Sequence, residues 1–215
     1  MTANLPSIEI ADRAEREAAV DVLAEAFADD PMIRKAVSRA SSPAIARRRV
    51  FDASVRTALG HGGALLVAKH EFAIVGVAIV VGPDERRVRR TVERVIAGLR
   101  FLRLLPLLGL QGLALLNDSD LASRRLAPGA PHHVLVAVGV SSAGRGQGFG
   151  RALVDAAFTR AVAHPSSDGL RLETENPKNV EMYARWGFDE LGRVEVDPVA
   201  VHVMYRSARE ARKDA

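Results

Sequence analysis

Four glycines, at 144, 146, 148 and 150, separate a valine-rich run, His133–Val140, from a segment patterned as a helix to about Ala163. Glycine lets a backbone approach a ligand closely and adopt positive φ. The first amides of the following helix are unpaired, and with the helix dipole they make an anion site. Arg145 and Arg151 add positive charge, so a pyrophosphate is the natural guest. A Walker loop is excluded, because Gly150 is followed by Arg151-Ala152 and not by Lys-Ser/Thr. A dinucleotide fingerprint is excluded too: counted from Gly144, Gly146 or Gly148, the i+5 residue is Phe149, Arg151 or Leu153. The spacing present is Arg145-x-x-Gly148-x-Gly150, which taken alone also fits a tight turn with no ligand.

A second cluster follows between Leu172 and Phe188. If Asn176 caps a helix starting at Pro177, then Asn176, Asn179 or Val180, and Tyr183 share one helix face. Two amides and a phenol then converge on the crevice that holds the glycine-rich turn. Glu173 and Glu175, two residues apart, share one strand face. His132 and His133, before the valine-rich strand, are further acid–base candidates, as are Asp29 and Asp30 for binding a cationic amine. Each has an ordinary structural reading as well: strand-edge polar residue, cap or core aromatic.

The elements positioning these groups read from periodicity and breakers. Asp12 can cap a helix to about Phe27, and Asp30-Pro31 starts a short one to about Arg39. A third runs from Pro43 to Leu59 and stops at Gly60-His61-Gly62-Gly63. Ala64–Lys69 and Phe72–Val81 are strands, the second apolar enough to be covered on both faces. Residues 84–116 are expected to be helical, and Asn117–Pro131 a loop. Leu170–Glu175 is a strand, Pro177–Arg185 a helix, and Phe188–Val196 with Val199–Tyr205 a terminal strand pair. The alternation predicts an α/β sheet with helices on its faces.

Composition narrows the chemistry. The chain has 215 residues and no cysteine, which removes disulfides, zinc fingers, iron–sulfur clusters and thiol nucleophiles. No metal is expected. The net charge of +4 is mild and aromatics make up only 5%, so no nucleic-acid partner is expected. The Arg86-Arg87-Arg89-Arg90 cluster reads as a solvated helix face. The longest apolar stretch, Leu104–Leu116, is shorter than the roughly 20 residues of a bilayer span, and Pro106 and Gly109 interrupt it. Leu99–Leu116 reads as core or subunit interface, which admits a homodimer, or as the wall of an apolar substrate pocket. Met1–Ala11 lacks a secretory pattern, so a cytoplasmic location without membrane partners is expected.

Arg145-Gly146-Gln147-Gly148-Phe149-Gly150, with Asn176 through Tyr183 ending in Gly187-Phe188, resembles the GNAT superfamily of acetyl-CoA-dependent N-acetyltransferases. More closely, Ala26-Phe27-Ala28-Asp29-Asp30-Pro31, Leu135–Val140 and the Glu173-Thr174 region resemble its puromycin N-acetyltransferase-like branch. Ser142 departs from that branch, which usually has proline there. The resemblance is strong from 132 to 188 and weakest from 84 to 130.

It implies a mixed, mostly antiparallel α/β (α+β) sheet with a splayed strand pair and helices on both faces. One acetyltransferase domain is expected over 1–215. Its parts are N-terminal helices (1–63), strands with a variable helical insert (64–131), an acetyl-CoA-binding core (132–188), a strand pair (189–206) and a tail (207–215). By the same resemblance, Val138, Gly139 and Val140 pair with the pantetheine arm, the Val140 amide polarises the thioester carbonyl, and Arg145–Arg151 hold the pyrophosphate. Asn179 bonds the pantetheine arm with Asn176 nearby, and Tyr183 protonates the departing thiolate. With a phenol near its usual pKa of about 10, that transfer is nearly balanced. Glu173 is the first choice of general base. The expected reaction is acetyl transfer to a primary amine, most simply of a small molecule, by direct attack in a ternary complex, because no cysteine can carry the acetyl group. A CoA-binding sensor with catalysis lost is the alternative on the same fold, and a nucleotide-binding enzyme using the glycine turn is the alternative outside it.

Overall fold

The computed structural model describes residues 7–83, 98–196 and 199–212. Seven strands form one sheet: β1 (Ile8–Ile10), β2 (Ala64–His70), β3 (Ala73–Val81), β4 (His133–Val140), β5 (Gly169–Thr174), β6 (Asp189–Val196) and β7 (Val199–Ser207). Their order is β1-β2-β3-β4-β5-β7-β6. Only the β4–β5 pair is parallel; every other neighbouring pair is antiparallel. This is the mixed, mostly antiparallel sheet that the family resemblance implies.

Strand periodicity divides the core. Leu65, Val67, Val77 and Ile79 face one side, under α1 (Arg16–Ala26), α3 (Pro43–Gly60) and α4 (Leu105–Arg124). Leu66, Ala78 and Val80 face the other, under α5 (Phe149–Ala163) and α6 (Pro177–Arg185), where they meet Leu153, Ala157, Phe158 and Tyr183. The short α2 (Pro31–Ala36) brings Met32 against Val196, Val199 and Val201 of the β6–β7 hairpin. Both faces of the inner strands are therefore covered, which is why their sequences are nearly continuous apolar runs.

Two features of β4 shape the centre of the sheet. Ile79 pairs with Ala137 but Val80 with Leu135, so Val136 is an extra, bulged residue. The bulge reverses the side-chain alternation: Leu135 joins the α5 side of the core and Ala137 the α1 side. Past the bulge, β4 continues along β3 to the Val140–Gly76 pair. Its pairing with β5 stops at Leu135–Leu172.

Several elements differ from the sequence expectation. Pro106 does not interrupt α4; it sits in the first turn, where a missing N–H is harmless. Gly109 (φ 65°) kinks that helix instead of ending it. Residues 117–124, expected as loop, extend it, with an Asp120–Arg124 ion pair one turn apart and Ser119 and Ser123 buried. Polar residues there mask a helix that faces protein on one side. Within Leu99–Leu116, Leu104 and Leu108 are core while Leu99, Leu102 and Leu110 are exposed. The expected tail is structured over its described part. It forms α7 (Ala208–Ala211), Arg209 pairs with Asp168, and Arg212 donates to the carbonyls of Ala161, Val162, His164 and Ser167. The short edge strand β1 has no periodic signal in the sequence. The expected helix over 84–97 and its arginine cluster lie outside the described residues.

Gly139 is where α1 and β4 touch: a Cβ there would lie 2.7 Å from the Ala26 Cβ, with Leu23 and Phe27 within 3.5 Å. Gly139→Val should push α1 off the sheet and lower stability by about 1–3 kcal/mol, read as a lower thermal midpoint. An unchanged midpoint would mean that α1 yields without cost.

Candidate active site

Pairing of β4 with β5 ends at Leu135–Leu172, so residues 136–140 of β4 run on without a β5 partner, and we take the gap between them and the C-terminal end of β5 as the candidate cleft. The β5-facing edge of β4 offers backbone donors and acceptors to an incoming extended ligand, as a strand edge does. Val138 and Val140 are half-buried against the α5 side of the core, so their backbones, not their side chains, line the cleft.

The glycine-rich turn closes one end. Ser142–Gly144 form a 3-10 turn, and Gly148, at φ 84°, is the N-cap of α5, with Gly146 also at positive φ (77°). A β-carbon at either glycine would be strained, so the residue type is dictated by the backbone. The Gln147 side chain folds back onto the Ala143 carbonyl at 2.9 Å, which stabilises the turn from within. Phe149 is buried and meets the His70 ring edge-on, so only its amide can serve a ligand. Gly150 leaves ordinary contact distance to Val140. Arg151 lies 3.5 Å from Asp155, one helical turn on, and is largely exposed; Arg206 approaches the same carboxylate at 3.1 Å. Outward amides and positive charge at this helix start can hold a pyrophosphate.

The other wall comes from β5 and α6. Asn176 caps α6, accepting from the Lys178 amide, and Asn179 donates to the Thr174 hydroxyl at 3.1 Å. Tyr183 is only 6% exposed and is packed edge-on to Trp186 and Phe188. Burial, helped by the nearby Glu175 charge, pushes its pKa up to about 12. The phenol is therefore held protonated, well above the balanced value expected from the sequence. It keeps its proton to donate and is a reluctant acid.

Arg171 and Glu173 alternate onto the opposite face of β5, and Glu175, expected as the last strand residue, follows one position past its end. Glu173 is paired with the buried Arg171 at 2.6 Å, though burial raises its pKa. Glu175 carries the larger perturbation. Burial and the neighbouring Asp30 and Glu173 charges push its pKa up to about 8. Asp30 caps α2 through the Ile33 amide at 2.9 Å, and burial raises its pKa as well. The structure thus brings Asp30, Glu175 and Tyr183 to one end of β5. Asp29 is exposed and outside this group.

The histidines are elsewhere. His132 and His133 stand at the closed end of β4, where it still pairs with β5. His133 is buried against the Ser167 hydroxyl at 2.8 Å, and burial lowers its pKa to about 4; His132 bonds the Ala130 carbonyl. Both stabilise that end of the sheet. Among the described residues, no group of three or more His, Asp or Glu is placed to hold a metal ion, and no helix is long and apolar enough to cross a membrane.

A family model described as the acetyltransferase (GNAT) family matches residues 31–188. Among solved structures, the chain is similar to a Corynebacterium glutamicum protein described as histone acetyltransferase HPA2 and related acetyltransferase. That match has 27% identity and a TM-score of 0.71 over 94% of this chain and 95% of that one. It shares its fold with arylalkylamine N-acetyltransferase 2 of Aedes aegypti (14% identity, 96% and 100% covered, TM-score 0.60). The same holds for a Drosophila melanogaster polyamine N-acetyltransferase (16% identity, 94% and 99% covered, TM-score 0.59).

The raised Glu175 carboxyl has a thermodynamic consequence. In the unfolded chain it loses its proton near 4.5, but in the folded chain it keeps it up to about 8. The native state therefore binds more protons between these values, and stability falls as pH rises through that window. Glu175→Gln should remove this loss, by about 1–3 kcal/mol, so that the variant's thermal midpoint gains on the wild type with rising pH. Parallel pH profiles for the two proteins would contradict it.

Proposed function

Since the chain belongs to the acetyltransferase (GNAT) family and is an N-acetyltransferase, we propose that it moves the acetyl group of acetyl-CoA directly to a primary amine of a small molecule within one ternary complex. The observation that carries this reading is the cleft opened where β4–β5 pairing ends. One end has an amide-lined turn for a pyrophosphate, and the other has a protonated phenol beside buried carboxyls. The cradle fits CoA: the turn's glycines take conformations that leave its amides exposed, and the β4 edge matches an amide-bearing pantetheine arm. Its motifs support the puromycin N-acetyltransferase-like branch, with Ser142 in place of that branch's usual proline.

Acetyl-CoA supplies an activated thioester carbonyl. On this reading Val138, Gly139 and Val140 align the arm by backbone pairing, and the Val140 amide donates to the carbonyl oxygen. The turn from Arg145 through Gly146, Gln147, Gly148, Phe149 and Gly150 to Arg151 holds the pyrophosphate. Asn179 keeps its side-chain oxygen for the arm while its amide group is fixed by Thr174, and Asn176 sets the helix start. Tyr183 donates a hydrogen bond to the leaving sulfur. Its raised pKa makes full proton transfer uphill, so part of the proton demand is met from the amine itself.

The acceptor amine must lose protons as the amide bond forms and the carbon–sulfur bond breaks. Glu173 is engaged by Arg171, so we assign the base to Glu175, whose pKa of about 8 lies near working pH. Asp30 and Glu175 together favour a cationic acceptor, whose charge in turn lowers the pKa of Glu175 toward the ionised form a base needs.

Acetyl-CoA, NAD and ATP should be compared for thermal stabilisation, then amines screened for release of CoA thiol. Stabilisation by acetyl-CoA and thiol release with cationic amines are expected. Stabilisation by NAD or ATP alone would overturn the reading, and CoA binding without turnover across a broad amine panel would favour a sensor. Tyr183→Phe should lower kcat by about 10²-fold while the acetyl-CoA KM moves little. An equal loss in both would assign Tyr183 to packing. Glu175→Gln should also lower kcat and abolish the rise of rate with pH toward about 8, whereas Glu173→Gln should keep that rise. The reverse result would return the base to Glu173.

A further inference from the structure

Glu25 occupies the last turn of α1, a turn with no basic residue. A carboxylate is electrostatically misplaced at a helix C-terminus, where the dipole favours cations. Its placement is explained by a contact 117 positions away in sequence: its Oε1 accepts a hydrogen bond from the Ser142 backbone N–H at 2.7 Å. Ser142 opens the 3-10 turn that leads into the glycine-rich segment. The Ser142 amide, with the Ser142 hydroxyl and then the Arg145 guanidinium, holds this carboxyl below the usual carboxylate range.

Proline at position 142 could not make this contact, because it has no N–H to give. The serine that departs from the related branch therefore supplies a donor, and Glu25 uses it.

The connection extends to the acceptor side. Ala26, beside Glu25, meets Gly139 of β4. After Phe27 the chain turns, with the Ala28 amide bonded to the Glu25 carbonyl and the Asp30 amide to the Phe27 carbonyl. Asp30 then caps α2 and faces Glu175. A single short stretch, Glu25 to Asp30, thus touches the turn, the cleft strand and the carboxyl group.

We propose that Glu25 is a positioning residue: its contact with Ser142 fixes the glycine-rich turn against α1 and sets its distance from the β4 edge, so that the pyrophosphate and the acceptor wall are held in one frame. This rests on the acetyl-CoA reading of the turn. The contact prepays part of the ordering that the turn otherwise undergoes on binding, so its loss appears in coenzyme affinity more than in the chemical step.

The test uses the full chain and CoA itself, by calorimetry, alongside the acetyl-CoA KM and kcat. Glu25→Ala should weaken CoA binding and raise the acetyl-CoA KM by about three- to tenfold, with kcat nearly unchanged. Glu25→Gln, which keeps an acceptor oxygen, should recover most of the affinity. In a Ser142→Pro background, Glu25→Ala should have no further effect, because the donor is already gone. Thermal melts without ligand check that each variant is folded. Unchanged or tighter CoA binding in Glu25→Ala would overturn the proposal, as would full additivity with Ser142→Pro or a failure of Glu25→Gln to rescue. A wild-type chain that binds no CoA would instead overturn the acetyl-CoA reading, so the two failures are distinguishable.

Discussion

Strands β4 and β5 pair only from His133–Leu170 to Leu135–Leu172. Beyond those three pairs each strand carries backbone N–H and C=O groups that need a partner other than its neighbour. The Val136 bulge redirects β4 just past the last pair, and the antiparallel bond to β3 keeps the strand straight to Val140. The cleft is thus held open by strands secured on their outer sides, β4 by β3 and β5 by β7. The glycine turn follows directly from where β4 ends, and the carboxyls and the start of α6 from where β5 ends.

That arrangement also explains how the perturbed groups arise. Alternation along β5 sends Leu172 and Thr174 to the α5 side and Arg171 and Glu173 to the other, where Glu173 meets Ser123 of α4. Arg171 is 5% exposed and its Nε has no hydrogen-bond partner, so the adjacent Glu173 is held close to compensate a buried charge. Glu175 has no such cation and instead meets Asp30 and Tyr183. Two carboxyls two residues apart, one in β5 and one just past its end, therefore have different chemistry, decided by which of them received the arginine.

Much of this was legible because it is local. The glycines of the turn, the Asn176 cap and the placement of Tyr183 depend on spacing within one strand–turn–helix or strand–helix unit, and spacing is what a sequence displays. Asp30-Pro31 announced α2 for the same reason. What depends on distant chain segments was not legible. Nothing near Glu173 reveals that Ser123 of α4 will meet it, and nothing near Glu25 points to Ser142. The buried serines of α4 look like loop residues until the surface they face is known. The phenol's upward shift likewise comes from Trp186, Phe188 and a carboxyl closing over it, which the spacing of Tyr183 alone cannot express.

The strand order β5-β7-β6 means that β6 is made before the strand that lies between it and β5. As the chain emerges during synthesis, β5 can join β4 over only three pairs and has no partner on its other edge until β7 appears. Its end, with Glu173, Glu175 and the start of α6, is then supported late, and Arg212 secures α5 and the 164–167 segment later still. The half of the molecule made first, β1 to β4 with its helices, can collapse on contacts local to itself. The segment of the glycine turn is therefore made well before the wall that stands opposite it.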